Sequence, residues 1–280
     1  MIGVISIAAL AYGFFYFENN CIDTSKIKIN CNIKNSIRMV QISDLHSKEF
    51  GKNNKRLYKS ILSNNPDFVV ATGDIIDSNM KNIDKIVRFL GDLNKYTAVF
   101  YIPGNNEMRC EALEEIIYKL KKEKIYVLEN EIISIDIHNE KINILGLVEE
   151  RIDRGEFINH KAKSKYIYKD AHKLFKELDN KNGLKIVLSH YPENFNAIGK
   201  ESYSKYKFDL MLSGHAHGGQ FILPFIGGLF APGQGVLPKY YNGLYEDKNK
   251  LIVSRGLGNS GFPIRLFNRP NLVVVDIMKY

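Results

Sequence analysis

From Arg38 onward, short apolar runs alternate with stretches in which apolar positions recur at helical spacing. The runs predict strands over Arg38–Ile42, Asp67–Ala71, Ala98–Ile102, Lys124–Leu128, Ile132–Ile137, Ile142–Leu147, Lys185–Leu188, Asp209–Leu212, Lys250–Ser254 and Leu272–Ile277. The amphipathic stretches predict helices over Asn53–Ser63, Met80–Leu93, Cys110–Lys121 and Ser164–Leu178. Strand followed by helix, repeated, is the pattern of βαβ units around a central sheet. The runs near Ile132 and Ile142 are separated only by His138-Asn139-Glu140-Lys141, which predicts a hairpin and therefore mixed sheets. Upstream, Cys21 to Ser36 is polar, and Lys26–Asn30, KIKIN, alternates at period two like an edge strand. Residues 1–18 are expected to form a hydrophobic segment, 19–36 a linker and edge strand, and 37–280 one α/β domain.

The hydrophobic segment carries a membrane expectation. Ile2–Phe17 is 16 residues without a charge, closed by Glu18. As a helix it reaches about 24 Å, against a hydrocarbon core of about 30 Å. The run predicts a single N-terminal anchor in the cell membrane, with Phe14, Phe15, Tyr16 and Phe17 as an interfacial belt. No basic residues precede it, which argues against a cleaved signal peptide, although Ala9-Leu10-Ala11 resembles a cleavage site. A buried core helix is the competing reading, disfavoured because no polar face breaks the run. Lys26, Lys28, Lys34 and Arg38 lean towards a cytoplasmic domain. Large domains translocate largely regardless of charge, so the side of the membrane stays open.

Composition adds a constraint on partners. With 45% hydrophobic and 25% charged residues in 280, the chain is an ordinary globular protein. Its 39 basic and 31 acidic residues give a net charge of +8, which suits an anionic partner such as a phosphate ester or acidic lipid headgroup. The lysines are scattered, with no compact basic block, so nucleic acid is not expected as a partner. Oligomeric state is left open. Cys21, Cys31 and Cys110 make neither a disulfide framework nor a thiolate metal site. Cys21 and Cys31 could pair if this region lies outside the cell, and a reduced pair fits equally.

Five strands end in ligand-type residues: RMVQISDLH with Asp44 and His46, DFVVATGD with Asp74, VFYIPGNNE with Asn105, KIVLSHYP with His190, and DLMLSGHAH with His215 and His217. Each alone has a bland explanation as a helix cap, a turn or a packed histidine. Five on the same edge of a sheet are harder to dismiss, because loops at the carboxyl ends of strands carry chemistry in open α/β sheets. Two carboxylates, an amide oxygen and four imidazoles are ligands that first-row divalent metals prefer. They suit two cations about 3.5 to 4 Å apart sharing one carboxylate, an arrangement that clamps both oxygens of an in-line displacement. The alternating direction of His-x-His favours one imidazole for each metal.

In this order, Asp-x-His, Gly-Asp, Gly-Asn, a single His and Gly-His-x-His resemble the calcineurin-like metallophosphoesterase superfamily. GHAHGGQFILP and the tail VSRGLGNSGFPIRLFNRP resemble its membrane-anchored bacterial YkuE/YaeI-like branch. The likeness runs from about Arg38 to the C-terminus. It implies an α/β fold, a four-layer αββα sandwich with two packed mixed β-sheets, preceded by one N-terminal hydrophobic helix. It implies that residues 37–280 are the phosphoesterase domain and that two divalent ions, of Mn, Fe, Zn or Co, are bound. Asp44, His46, Asp74 and His217 would hold the first ion, and Asp74 as bridge, Asn105, His190 and His215 the second. The implied activity is hydrolysis of a phosphomonoester or diester by in-line attack of a metal-bridging hydroxide. A lipid or envelope precursor is one candidate substrate, since an anchor would hold the site near it.

Asn106 departs from the family. Most members have histidine there, which contacts the phosphate and helps protonate the leaving group. Asn106 can donate a hydrogen bond to a phosphoryl oxygen but cannot deliver a proton. It is therefore the candidate catalytic residue, with Glu107, His160 or a metal-bound water as alternative proton sources. The alternative function is a membrane-anchored metal and phosphate-ligand binding protein with weak turnover. Gly256, Gly258 and Gly261 satisfy a dinucleotide fingerprint, but Pro263 follows where its helix should run. A glycine-rich rim to the site is expected there instead, with Arg255 and Arg265 either meeting substrate phosphate or pairing at the surface.

Overall fold

The computed structural model describes residues 2–77, 79, 82–148, 152–153, 156–157, 171–197, 202–259 and 262–280, with backbone alone at 2–5, 152–153 and 156–157. The chain begins with α1 (Ile2–Asn20), β1 (Asp23–Cys31), β2 (Ile37–Ile42), α2 (Lys55–Leu62), β3 (Phe68–Thr72) and α3 (Ile83–Asn94). Next come β4 (Ala98–Ile102), α4 (Asn105–Arg109), α5 (Leu113–Lys122), β5 (Tyr126–Val127), β6 (Glu131–Ile137) and β7 (Glu140–Gly146). The remainder supplies α6 (Ala171–Asp179), β8 (Leu184–Leu188), β9 (Leu210–Ser213), β10 (Gly243–Glu246), β11 (Lys250–Val253) and β12 (Asn271–Lys279).

Among the described residues these strands form two 6-stranded mixed sheets. The first runs β1-β12-β2-β3-β4-β5 and is parallel except between β12 and β2. The second runs β10-β11-β9-β8-β7-β6, antiparallel at its two outer pairs and parallel between. Alternation along each strand sorts side chains into layers. Phe68, Val70 and Phe100 of the first sheet meet Ile144, Ile186 and Leu212 of the second in a shared core. The intervening Val69, Val99 and Tyr101 pack under α2, α3 and α5 through Leu57, Leu90 and Ile116. On the far face of the second sheet, Val187 and Met211 lie against Phe175 of α6 and Phe195. The central strands are covered on both faces, which is why they read as continuous apolar runs.

The expected hairpin is β6 with β7, and the KIKIN segment lies in β1 at a sheet edge. That strand is longer than the alternation suggested and pairs parallel with β12 over its whole length. The strand expected over Lys124–Leu128 shrinks to two residues, since Lys124 takes a left-handed φ of 59°. The first part of the helix expected over Ser164–Leu178 and the start of that over Met80–Leu93 lie outside the described residues. Cys21, Cys31 and Cys110 are free.

The membrane anchor is not upheld. Among the described residues, no helix is long and apolar enough to cross a membrane. The charge-free run ends at Phe17, and the last turn of α1 is polar and engaged with the domain. Glu18, only 6% exposed, accepts from Asn268 N at 3.2 Å, and Asn19 Oδ1 accepts from Arg265 N at 3.0 Å. Phe14 meets Phe267 edge-on at 6.0 Å. These polar residues have defined protein partners, so they cannot extend an apolar span.

Candidate metal centre

The centre forms where parallel strands of both sheets end on one edge. Loops after β2 and β3 carry Asp44 and His46, and Asp74; Asn105 opens α4 just after β4, and the segments after β8 and β9 carry His190, and His215 with His217. Backbone bonds stitch the loops together: Asp44 N to Gly73 O at 2.9 Å, His46 N to Asp74 O at 3.0 Å and Gly214 N to His190 O at 3.1 Å. Across the seam, Gln41 Nε2 donates to Ser213 O and to Thr72 Oγ1, each at 2.9 Å. Two glycines permit the close approach. A Cβ on Gly104 would overlap Asp74, and one on Gly214 would overlap Ser43 Oγ and Asp44 Oδ2. Asp44, His46, Asp74, His215 and His217 have left-handed φ of 49, 48, 52, 65 and 47°. Each such conformation costs about 1–3 kcal/mol and is tolerated where the surroundings over-determine it.

The ligand-type side chains gather into two adjoining groups, Asp44 with His46 and His217, and Asp74 with His190 and His215. In the first, His46 Nε2 lies 3.1 Å from His217 Nε2, which is 3.4 Å from Asp44 Oδ1. In the second, His190 Nε2 lies 3.5 Å from Asp74 Oδ2 and 3.2 Å from Asn105 Oδ1. Asp74 Oδ2 is also 3.9 Å from His46 Nε2, so this carboxylate stands between the groups. His215 and His217 fall into different groups. His190 Nδ1 sits 2.8 Å from Thr72 O, a contact that assigns the proton to Nδ1 and turns the Nε2 lone pair to the centre. Facing imidazole nitrogens beside two buried carboxylates and an amide oxygen form a donor set that fits divalent cations.

The two buried carboxylates give the centre a field that favours positive charge. Burial pushes the Asp74 carboxyl upward, but His190, His46 and the Asn106 N–H outweigh it and hold it well below the usual carboxylate range. Burial would depress His190, yet Asp74 and then Asp44 raise it to about 10. Asp44 is raised, first by burial and also by Asp74. Burial and then the neighbouring His46 push His217 well below its ordinary value.

Asn106 lies beside Asp74, with its backbone N donating to Oδ1 at 2.7 Å and Nδ2 to Oδ2 at 2.5 Å. Glu107, named as an alternative proton source, is 1% exposed and accepts from Asp74 N, Ile76 N and Gly104 N, each at 2.9 Å. Burial, with Asp74 adding, raises it to about 7, but its oxygens hold the loop and face away from solvent. His160 lies outside the described residues. Gly256 and Gly258 do border the centre, against Asp44 and Leu45. Arg255 pairs with Asp23 at 2.6 Å, and buried Arg265 donates to Arg255 O, Gly258 O and Asn268 O. Both guanidinium groups have partners within the protein. Residues unnoticed in the sequence also contribute: Ser43 Oγ donates to Asp44 Oδ2 at 2.6 Å, and Glu193 Oε1 lies 4.0 Å from His215 Nε2. Their signal was adjacency to the ligand-type residues, in ISD and HYPE.

Residues 37–219 match the family described as Calcineurin-like phosphoesterase. An "Uncharacterized metallophosphoesterase" of Aquifex aeolicus is 31% identical over 94% of this chain and 92% of its own length. The metallophosphoesterases YkoQ and YkuE of Bacillus subtilis are 25% and 26% identical, over 98% and 99% of this chain and 98% and 94% of theirs.

Gly214→Ala tests the close approach. Its Cβ must displace Ser43 or Asp44, so unfolding free energy should fall by about 1–3 kcal/mol, the usual cost of overpacking. Metal uptake by the still-folded variant should fall too. Urea melts and bound-metal analysis read both, and unchanged metal content would show that the contact does not set the Asp44 position.

Proposed function

This chain belongs to the calcineurin-like phosphoesterase family, and from that premise we propose that it is a dimetal phosphoesterase whose ligands are Asp44, His46, Asp74, Asn105, His190, His215 and His217. The observation that carries the reading is the pair of adjoining Asp/His groups on one edge, with Asp74 between them. Asp44, His46 and His217 would hold one ion, Asn105, His190 and His215 the other, and Asp74 both. When bound, such ions polarise phosphoryl oxygens, lower the pKa of water and neutralise charge gathering on the ester oxygens. The chain's own residues orient the site. Thr72 O fixes the His190 ring, and Asn106 fixes both oxygens of Asp74.

No proton donor stands at position 106, and Glu107 is committed to three backbone N–H groups. The leaving group therefore departs without a side-chain acid from this loop. The alternative reading, binding with little turnover, draws on the same observation, since the Asn106 amide is engaged by Asp74. Stoichiometric Mn²⁺ binding with no hydrolysis of an aryl phosphodiester would favour it.

A substrate ester bearing an apolar group is the finer proposal. Its support is the apolar rim beside the turn that carries His217: Gln220 Nε2 donates to Phe262 O at 3.1 Å and to Ile264 O at 2.7 Å, and Phe262 and Phe267 remain half exposed. Long-chain esters should then show a lower KM than short-chain esters of the same headgroup, and equal KM values would remove the proposal.

Two substitutions test the chemistry. Asp74→Asn should strip metal and nearly all activity together; full activity in that variant would end the dimetal reading. Asn106→His should speed poor leaving groups by about 10² to 10⁴-fold, the usual value of general acid catalysis, and change nitrophenol esters little. Because the Asn106 side chain also holds Asp74, the rates are compared at equal metal occupancy. Equal effects on every ester would mean that residue 106 only holds the loop.

A further inference from the structure

The last turn of α1 reaches the loops of one ligand group. Asn19 Oδ1 accepts from Arg265 N at 3.0 Å and from Asn259 Nδ2 at 3.3 Å, and Asn19 O accepts from Lys48 Nζ, two residues beyond His46. Glu18 Oε2 accepts from Asn268 N at 3.2 Å. From these partners, short chains of bonds reach ligand-type residues. Fully buried Asn268 donates through Nδ2 to His217 O at 2.8 Å and to Gln220 O at 3.1 Å, clasping the turn of His217. Buried Arg265 gathers the carbonyls of Arg255, Gly258 and Asn268. The loop so held donates Leu257 N to Ser43 O at 3.0 Å and Gly258 N to Asp44 O at 2.6 Å.

The pattern is one-sided. Among the described residues, the side-chain bonds of Glu18 and Asn19 to the domain lead to the loops of Asp44, His46 and His217. Of the second group, Asp74 and His190 are held instead by Glu107, Asn106 and Thr72, while His215 shares the turn of His217. We infer that Glu18 and Asn19 are positioning residues chiefly for the first ligand group, so that the end of α1 sets the affinity of that metal site more strongly than that of the other, which it reaches only through the turn shared by His217 and His215. The inference rests on the dimetal reading. Residues that hold ligands without touching the ion change metal affinity by about 10 to 100-fold when removed.

The experiment uses the full chain titrated with Mn²⁺, following uptake by calorimetry and the electron paramagnetic resonance signal of the coupled pair. Asn19→Ala removes the acceptor facing Arg265 N, whereas Asn19→Asp keeps one. Glu18→Ala removes the acceptor facing Asn268 N. Asn19→Ala and Glu18→Ala should each weaken one of two sites by about 10 to 100-fold and the other by much less. The coupled signal should give way to that of an isolated ion, and Asn19→Asp should restore it. If both sites weaken equally with the melting temperature, the turn is only structural and the inference falls. If the unsubstituted chain binds two ions and the variants bind them identically, the inference falls while the dimetal reading stands. An unsubstituted chain that binds no metal overturns both.

Discussion

Two carboxylates, Asp44 and Asp74, are buried where the sheet edges converge, and the architecture around them serves that constraint. Removing a carboxylate from water is expensive unless hydrogen bonds and opposite charge compensate it. Asp44 receives Ser43 Oγ and the backbone N of His215; Asp74 receives the backbone and side-chain N of Asn106. Donors come this close only because Gly104 and Gly214 have no side chain to intervene. The remaining acceptor capacity faces imidazole nitrogens, so compensation for both charges falls to groups that also bind cations. Burial, glycine packing and the left-handed backbone of the ligand-type residues are thus consequences of one demand for charge held at a seam.

That demand explains what could be read from the chain. Each strand of the seam is buried on both faces, so its run ends abruptly where a polar loop begins, and SDLH, TGD, PGNN, SHY and SGHAH stood out. Glycines beside three of these groups read as turns, and the close approaches they permit became visible only in three dimensions. Long-range pairing was less visible. Nothing local in KIKIN says that it runs parallel to Asn271–Lys279, because register is set between strands distant in sequence. Nor did the hydrophobicity of Ile2–Phe17 disclose that its final turn ends on Asn268, Arg265 and Lys48. A charge-free run reports affinity for apolar surroundings. The polar residues that follow decide what the helix is fastened to.

The roles of Asn106 and the two arginines show the same limit at the scale of a side chain. Residue type in a motif said which bonds were available, with Asn106 able to donate and the guanidiniums able to meet phosphate. Which partner wins depends on what lies within reach. Asp74 is the nearest acceptor to Asn106, and main-chain carbonyls of a glycine-rich loop enclose Arg265 before any substrate approaches.

An unequal scaffold follows for the two ligand groups. Asp74 and His190 rest on the ends of interior strands, with Glu107 gathering the N–H groups of Asp74, Ile76 and Gly104 from the loops after β3 and β4. Asp44, His46 and His217 depend on segments from both ends of the chain, Glu18 and Asn19 on one side and Gly258, Arg265 and Asn268 on the other. Supports that lie at the ends of interior strands stay in place while the sheets are intact, whereas the support from the end of α1 exists only while that helix is docked. The first group is therefore the more easily loosened, since fraying at either docked segment releases its loops before the sheets themselves open.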